Sequence, residues 1–184
     1  MSNKWTRFVS LAVVLSFLVA QYAAAASVHL KGGANSEPSF FDGGLQLATE
    51  GALAGLGNED LLVTLTATAN VTATCTNPSG GNQPPGQNPA SITVTGSQAI
   101  PASEIKNGNV AFALVTQSPD ATIPGAPGCP NPNWTETITD LAFTSATITV
   151  EQPVGTLVLT VTCAITEPTT DGAVPGNNVS CTQQ

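Results

Sequence analysis

LLVTLTATANVTATC, residues 61–75, places an apolar side chain at every odd position and, after Leu62, Thr or Asn at every even one. Successive side chains of an extended chain point to opposite faces, so a period of two buries one face and wets the other. Thr suits the wet face, because its branched β-carbon favours extended backbone while its hydroxyl stays hydrated. The run is longer than an ordinary strand, so a bend or bulge is expected to divide it.

The same rhythm recurs at Ile92 and Val94, at Val110, Phe112 and Leu114, and from Leu157 through Leu159, Val161 and Cys163 to Ile165. In LAFTSATITV, residues 141–150, the phase slips: Leu141 and Phe143 are odd, whereas Ala146, Ile148 and Val150 are even. A bulge near Thr144 and Ser145 keeps both halves facing one core. Pro153 and Gly155 in EQPVGT supply a turn into the next strand. No window sustains a helical period; Ser103–Lys106, closed by Gly108, predicts a single turn. These signals predict an all-β chain: one immunoglobulin-like antiparallel β-sandwich of about seven to nine strands over 27–184, with 27–50 less regular.

Residues 1–26 read as a signal peptide: Lys4 and Arg7, an apolar run from Phe8 to Ala20, then the small residues Ala23–Ala26. Cleavage near Ala26 leaves 158 residues, enough to bury one core. It also removes both arginine and tyrosine from the chain and leaves two lysines, Lys31 and Lys106, against twelve acidic residues, a formal charge of −10. That charge disfavours nucleic acid and anionic membranes. No second apolar segment of spanning length follows, so release without membrane insertion is expected.

All four cysteines, Cys75, Cys129, Cys163 and Cys181, lie in the exported part, and an even count in an oxidising compartment predicts two disulfides. The favoured pairs are Cys75 with Cys129, which joins two Pro/Gly-rich tracts, and Cys163 with Cys181, which closes a hairpin. The competing pair, Cys75 with Cys163 across two sheets, follows the pattern of antibody domains. No CxxC is present and His29 is the only histidine, so zinc is not expected.

The run LAGLGNEDLLVTLTATANVTATCTNPSGGNQPPGQNP, with GSQAIPASEIKNGNVAF and CPNPNWTETITDLAFTSATITV, resembles small secreted bacterial proteins of unknown function. The resemblance covers most of the chain after residue 26. It implies export, one domain and the sandwich, and it implies no catalytic or binding residue.

Between its β segments the chain carries TNPSGGNQPPGQNPA, residues 76–90, whose prolines cannot donate to a ladder and whose glycines tolerate positive φ. It reads as a loop of about fifteen residues, a length often functional. Its amides Asn82, Gln83, Gln87 and Asn88, with Trp134 beside Cys129, form the candidate binding loop. Trp134 is expected to pack against a disulfide or the core edge rather than to serve as a sugar platform.

Catalysis requires a positioned nucleophile, base or metal, and after residue 26 hydrolytic chemistry reduces to carboxylate pairs. Asp42, Glu59, Asp60, Asp140 and Glu151 are the candidates, and none lies in a motif that joins two. The expectation is a non-catalytic protein without cofactor; calcium is the ion that the oxygens of GNED (57–60) and PTTDG (168–172) best match. The expected role is a secreted structural or surface-associated component. The alternative is a module that binds a protein or carbohydrate through its loops. Its partner is then an extracellular protein, a polysaccharide or another copy of the chain.

Overall fold

Two antiparallel sheets face each other across an apolar core, and both disulfides, Cys75–Cys129 and Cys163–Cys181, are anchored on strands of the larger one. The computed structural model describes residues 27–33 and 35–184; the signal segment predicted over 1–26 lies outside the described residues. In chain order the strands are β1 (His29–Leu30), β2 (Ser39–Asp42), β3 (Leu47–Ala54), β4 (Leu61–Thr76), β5 (Asn82–Gln83) and β6 (Ile92–Ile100). They continue with β7 (Val110–Val115), β8 (Thr122–Ile123), β9 (Thr135–Glu151), β10 (Leu157–Ile165), β11 (Gly172–Ala173) and β12 (Val179–Gln183). Four of these are two-residue pieces, so among the described residues eight strands have four residues or more. The one-turn reading at Ser103–Lys106 corresponds to a 3₁₀ turn at Ala102–Glu104.

The smaller sheet runs β7, β3, β2, β11, with β1 paired to the far end of β3. The larger is built on β4 and β9, hydrogen-bonded along their whole length from Leu62↔Glu151 to Thr76↔Thr135. At one end β6 and the paired β10 and β12 flank this pair; at the other, among the described residues, only β5 and β8 do. Every odd residue of β4 is at most 3% exposed, so the two-residue phase assigns faces correctly over all sixteen positions.

The expected break in the long run falls elsewhere. β4 is one undivided strand, and the extra residues are both on β9: Thr144 opposite the Thr68–Ala69 step and Thr139 opposite the Thr72–Ala73 step. The first is the slip expected from the sequence. Because β4 never changes phase and β9 does so twice, β9 must accommodate the bulges.

On the opposite margin, β6 passes so close to β7 that a β-carbon on Gly96 would lie 2.0 Å from the Val115 carbonyl oxygen. Gln117 donates its backbone N–H to Thr95 there (2.8 Å), lacing the two sheets together.

Candidate functional site

The end of the β4–β9 pair that projects past the other long strands is where the two Pro/Gly tracts meet. The first tract is not one fifteen-residue loop. Asn77 Oδ1 accepts the N–H groups of Ser79 and Gly81 (2.9 and 2.8 Å), and Asn77 and Gly81 bond through their backbones, forming a tight turn. Asn82 and Gln83 then return as β5 against Thr76 and Cys75. The tract lacks an apolar rhythm, yet Asn82 and Gln83 within it are extended and paired, which composition alone does not reveal.

From there the tract reaches the second one. Gly86 donates its N–H to the Gly128 carbonyl (2.9 Å), and the disulfide Cys75–Cys129 lies beneath, with Cα atoms 5.7 Å apart. Glu136, opposite Cys75 on the inward face, is 1% exposed and accepts the Gly128 N–H at 3.0 Å. A β-carbon on Gly128 would lie 2.6 Å from Glu136 Oε1 and 3.0 Å from the Gln87 carbonyl, so only glycine fits. Glu136 was not among the candidate carboxylates. Its signal was present, since it shares the even, inward phase of Ile138.

Beside β4 these loops leave a shallow groove of ≈ 340 Å³ lined by Thr72, Thr74, Asn82, Gln83, Pro84 and Asn88, among others. Three of the five expected binding residues, Asn82, Gln83 and Asn88, thus share a groove; Gln87 and Trp134 do not line it. Trp134 is half-buried in the neighbouring loop. Asn82 Oδ1 accepts the Thr76 hydroxyl (2.8 Å). The groove offers amide and hydroxyl groups between proline walls, suited to hydrogen-bonding a polar ligand.

The expected carboxylates are distributed differently from one another. Asp60 accepts the Ala102 N–H (2.8 Å) and Glu151 the Gly155 N–H (2.8 Å), both as exposed loop ties. Asp42 is buried: its carboxylate accepts the Gly44 N–H (2.9 Å) and the Thr169 hydroxyl, whose oxygen in turn accepts the Phe143 N–H (2.8 Å). Asp140 and Asp171 approach the same Gly44, so the fold brings together carboxylates that no motif joins. Burial raises the Asp42 carboxyl above its ordinary value; Asp140 and Asp171 push the same way, while its hydrogen bonds oppose. Of the two calcium-like segments, only PTTDG contributes to this cluster, through Thr169 and Asp171; among the described residues no group of three or more His, Cys, Asp or Glu side chains is arranged to hold a metal ion.

The outer face of the larger sheet is of another kind. Thr95, Thr66, Thr147, Thr162 and Thr182 stand abreast on five strands, flanked by the row Ser97, Thr64, Thr149, Thr160. No charged side chain interrupts these rows. Adjacent strands rotate by about 20–25°, so five threonines abreast fan out of one plane, which tells against a match to ice or another flat crystal.

No protein-family model, no curated protein and no solved structure matches this chain.

Proposed function

We propose that the protein is a secreted, non-catalytic sandwich of immunoglobulin-like kind that serves as an extracellular structural or surface-associated component. The observation that carries this reading is the pair of uncharged hydroxyl rows across the outer face of the larger sheet. A binding or catalytic site concentrates its polar groups at one place, whereas this face spreads identical ones over five strands. Two disulfides fit an oxidising compartment, and the residue inventory after position 26, with one His and no Tyr or Arg, suits a passive role. Fractionation of the native source tests it. The protein should be exported, with an intact mass beginning near residue 27, and be found as polymers or in association with matrix or cell-surface material; a cytoplasmic protein, or an exported one that neither assembles nor associates, counts against it.

The groove beside Asn82, Gln83 and Asn88 favours a second reading, a module for an extracellular protein or polysaccharide. Retention on a glycan or protein array that disappears in an Asn82→Ala, Asn88→Ala double variant would support it.

A further inference from the structure

β4 has a strand on each side along most of its length, but not throughout. On the margin away from β9 it pairs with β6 as far as Ala69↔Ile92 and with β5 from Cys75↔Gln83, so residues 70–74 face a gap between two strands of one sheet. The chain that links β5 to β6 does not pair across it. Gly86 is drawn off to the Gly128 carbonyl (2.9 Å), and the link returns to β4 where the Ser91 hydroxyl donates to Asn70 Oδ1 (3.0 Å).

Which backbone groups face the gap follows from the bonds on the other side of β4. The Thr68 and Thr72 carbonyls accept the hydroxyls of Thr144 and Thr139 (3.3 and 3.2 Å), so the even residues of β4 turn their carbonyls toward β9. Leu141 and Ile138, opposite Val71 and Ala73, donate their N–H groups away from β4, to the Gly44 and Ala121 carbonyls (2.9 and 2.7 Å). In an antiparallel ladder such opposed residues exchange no hydrogen bonds, and each turns its backbone groups to its other side. Val71 and Ala73 therefore aim two N–H and two C=O groups into the gap, and among the described residues no hydrogen bond reaches them there. Both residues are 3% exposed, so these groups are also largely shut off from solvent, which is unfavourable until a partner meets them. The groove of Asn82, Gln83 and Asn88 opens onto this edge at Ala73.

We propose that the gap takes an extended, uncharged peptide, which adds a short strand to β4 between β5 and β6. The occupant follows from the backbone: donor and acceptor pairs about 6.8 Å apart repeat as an extended polypeptide does, and a sugar ring has no such repeat. No aromatic side chain lines the groove to stack on a sugar, and no charged one lines it to select a charged ligand. Opposite residues 70–74 the added strand has five residues, about 17 Å in length. Its residues opposite Val71 and Ala73 bond β4 and turn their side chains inward, where small apolar ones fit. Those opposite Asn70, Thr72 and Thr74 turn outward among hydroxyls and amides, where Thr or Asn fits. The proposal names a ligand class for the binding-module reading and rests on that reading.

Nuclear magnetic resonance titration of the isotope-labelled, disulfide-bonded protein with the end-capped peptide Thr-Ala-Thr-Ala-Thr, to millimolar concentration, decides it. Expected are saturable shifts of the Val71 and Ala73 amide signals and slower hydrogen exchange at both. Methylating the backbone nitrogens of the two peptide alanines removes the donors that face β4 and should weaken binding about tenfold or more, whereas methylating that of the central threonine, which faces away, should change it by less than about threefold. Thr74→Trp, whose outward side chain fills the groove, should lower the affinity while leaving the circular dichroism unchanged. Absence of saturable binding, binding indifferent to methylation of the alanines, or shifts that leave Val71 and Ala73 unmoved would overturn the proposal. Retention on a glycan array that the Asn82→Ala, Asn88→Ala variant loses, with no peptide bound, would also overturn it while leaving the binding-module reading in place.

Discussion

Leu65 and Thr66 are adjacent in the chain and face opposite environments: Leu65 is fully buried, whereas Thr66 stands in the outer threonine row between Thr95 and Thr147. Leu65→Asp strands a charge in the core and should cost at least about 3 kcal/mol, whereas Thr66→Asp should cost no more than about 1 kcal/mol, the worth of the cross-strand pairs it disturbs. Melting temperatures of the two variants check this; equal losses would refute the face assignment. Asp42 gives a pH-dependent counterpart. Its carboxyl is raised above the ordinary 3.8, so the native state holds that proton more tightly than the unfolded chain. Stability from this group is therefore greatest below 3.8 and falls as pH rises through the raised value. Asp42→Asn removes the titration, so the wild type should lose stability relative to the variant on going from acid to neutral pH. Thermal unfolding of both across that range measures the difference; a constant gap would contradict it.

At the scale of elements, the first Pro/Gly tract has a geometric task. The chain leaves β4 at Thr76 and, after the short β5, begins β6 at Ile92, opposite Ala69, so it must travel back along about seven residues of β4, roughly 23 Å. Replacing Asn77–Asn88 by a Gly/Ser linker of eight residues should permit folding, whereas a two-residue linker should not close the connection without breaking pairs at the end of β4. Yield of disulfide-bonded protein and its proteolytic resistance distinguish these outcomes. Much of this level was legible in the sequence. The phase of β4 and the Thr144 slip follow from apolar alternation alone. The Thr139 bulge was also written there, in the change of parity between Ile138 and Leu141, but a charged neighbour on the inward phase, Glu136, makes that stretch resemble a loop. β5, β8 and β11 consist of Asn, Gln, Thr, Ile, Gly and Ala in pairs, too short to show a rhythm. Asp42, Asp140 and Asp171 converge through pairings between distant segments, which periodicity within one segment cannot supply.

For the whole molecule, the two disulfides close loops of different length, 54 and 18 residues. In the chain-entropy description their removal costs about 4 and about 3 kcal/mol, so the Cys75→Ser, Cys129→Ser variant should be the less stable of the two pair deletions by roughly 1 kcal/mol. Denaturant unfolding of both double variants compares them directly; the reverse order would point to native contacts, such as the Glu136–Gly128 bond, redistributing after the loss. The five threonines abreast carry a different consequence. Hydroxyls do not ionise in the range where carboxylates, lysines and histidine do, and salt has no net charge there to screen. These rows therefore present the same chemistry in fresh water and brine, in acid and in mild alkali, so a surface built from them would keep its wetting as the medium changes.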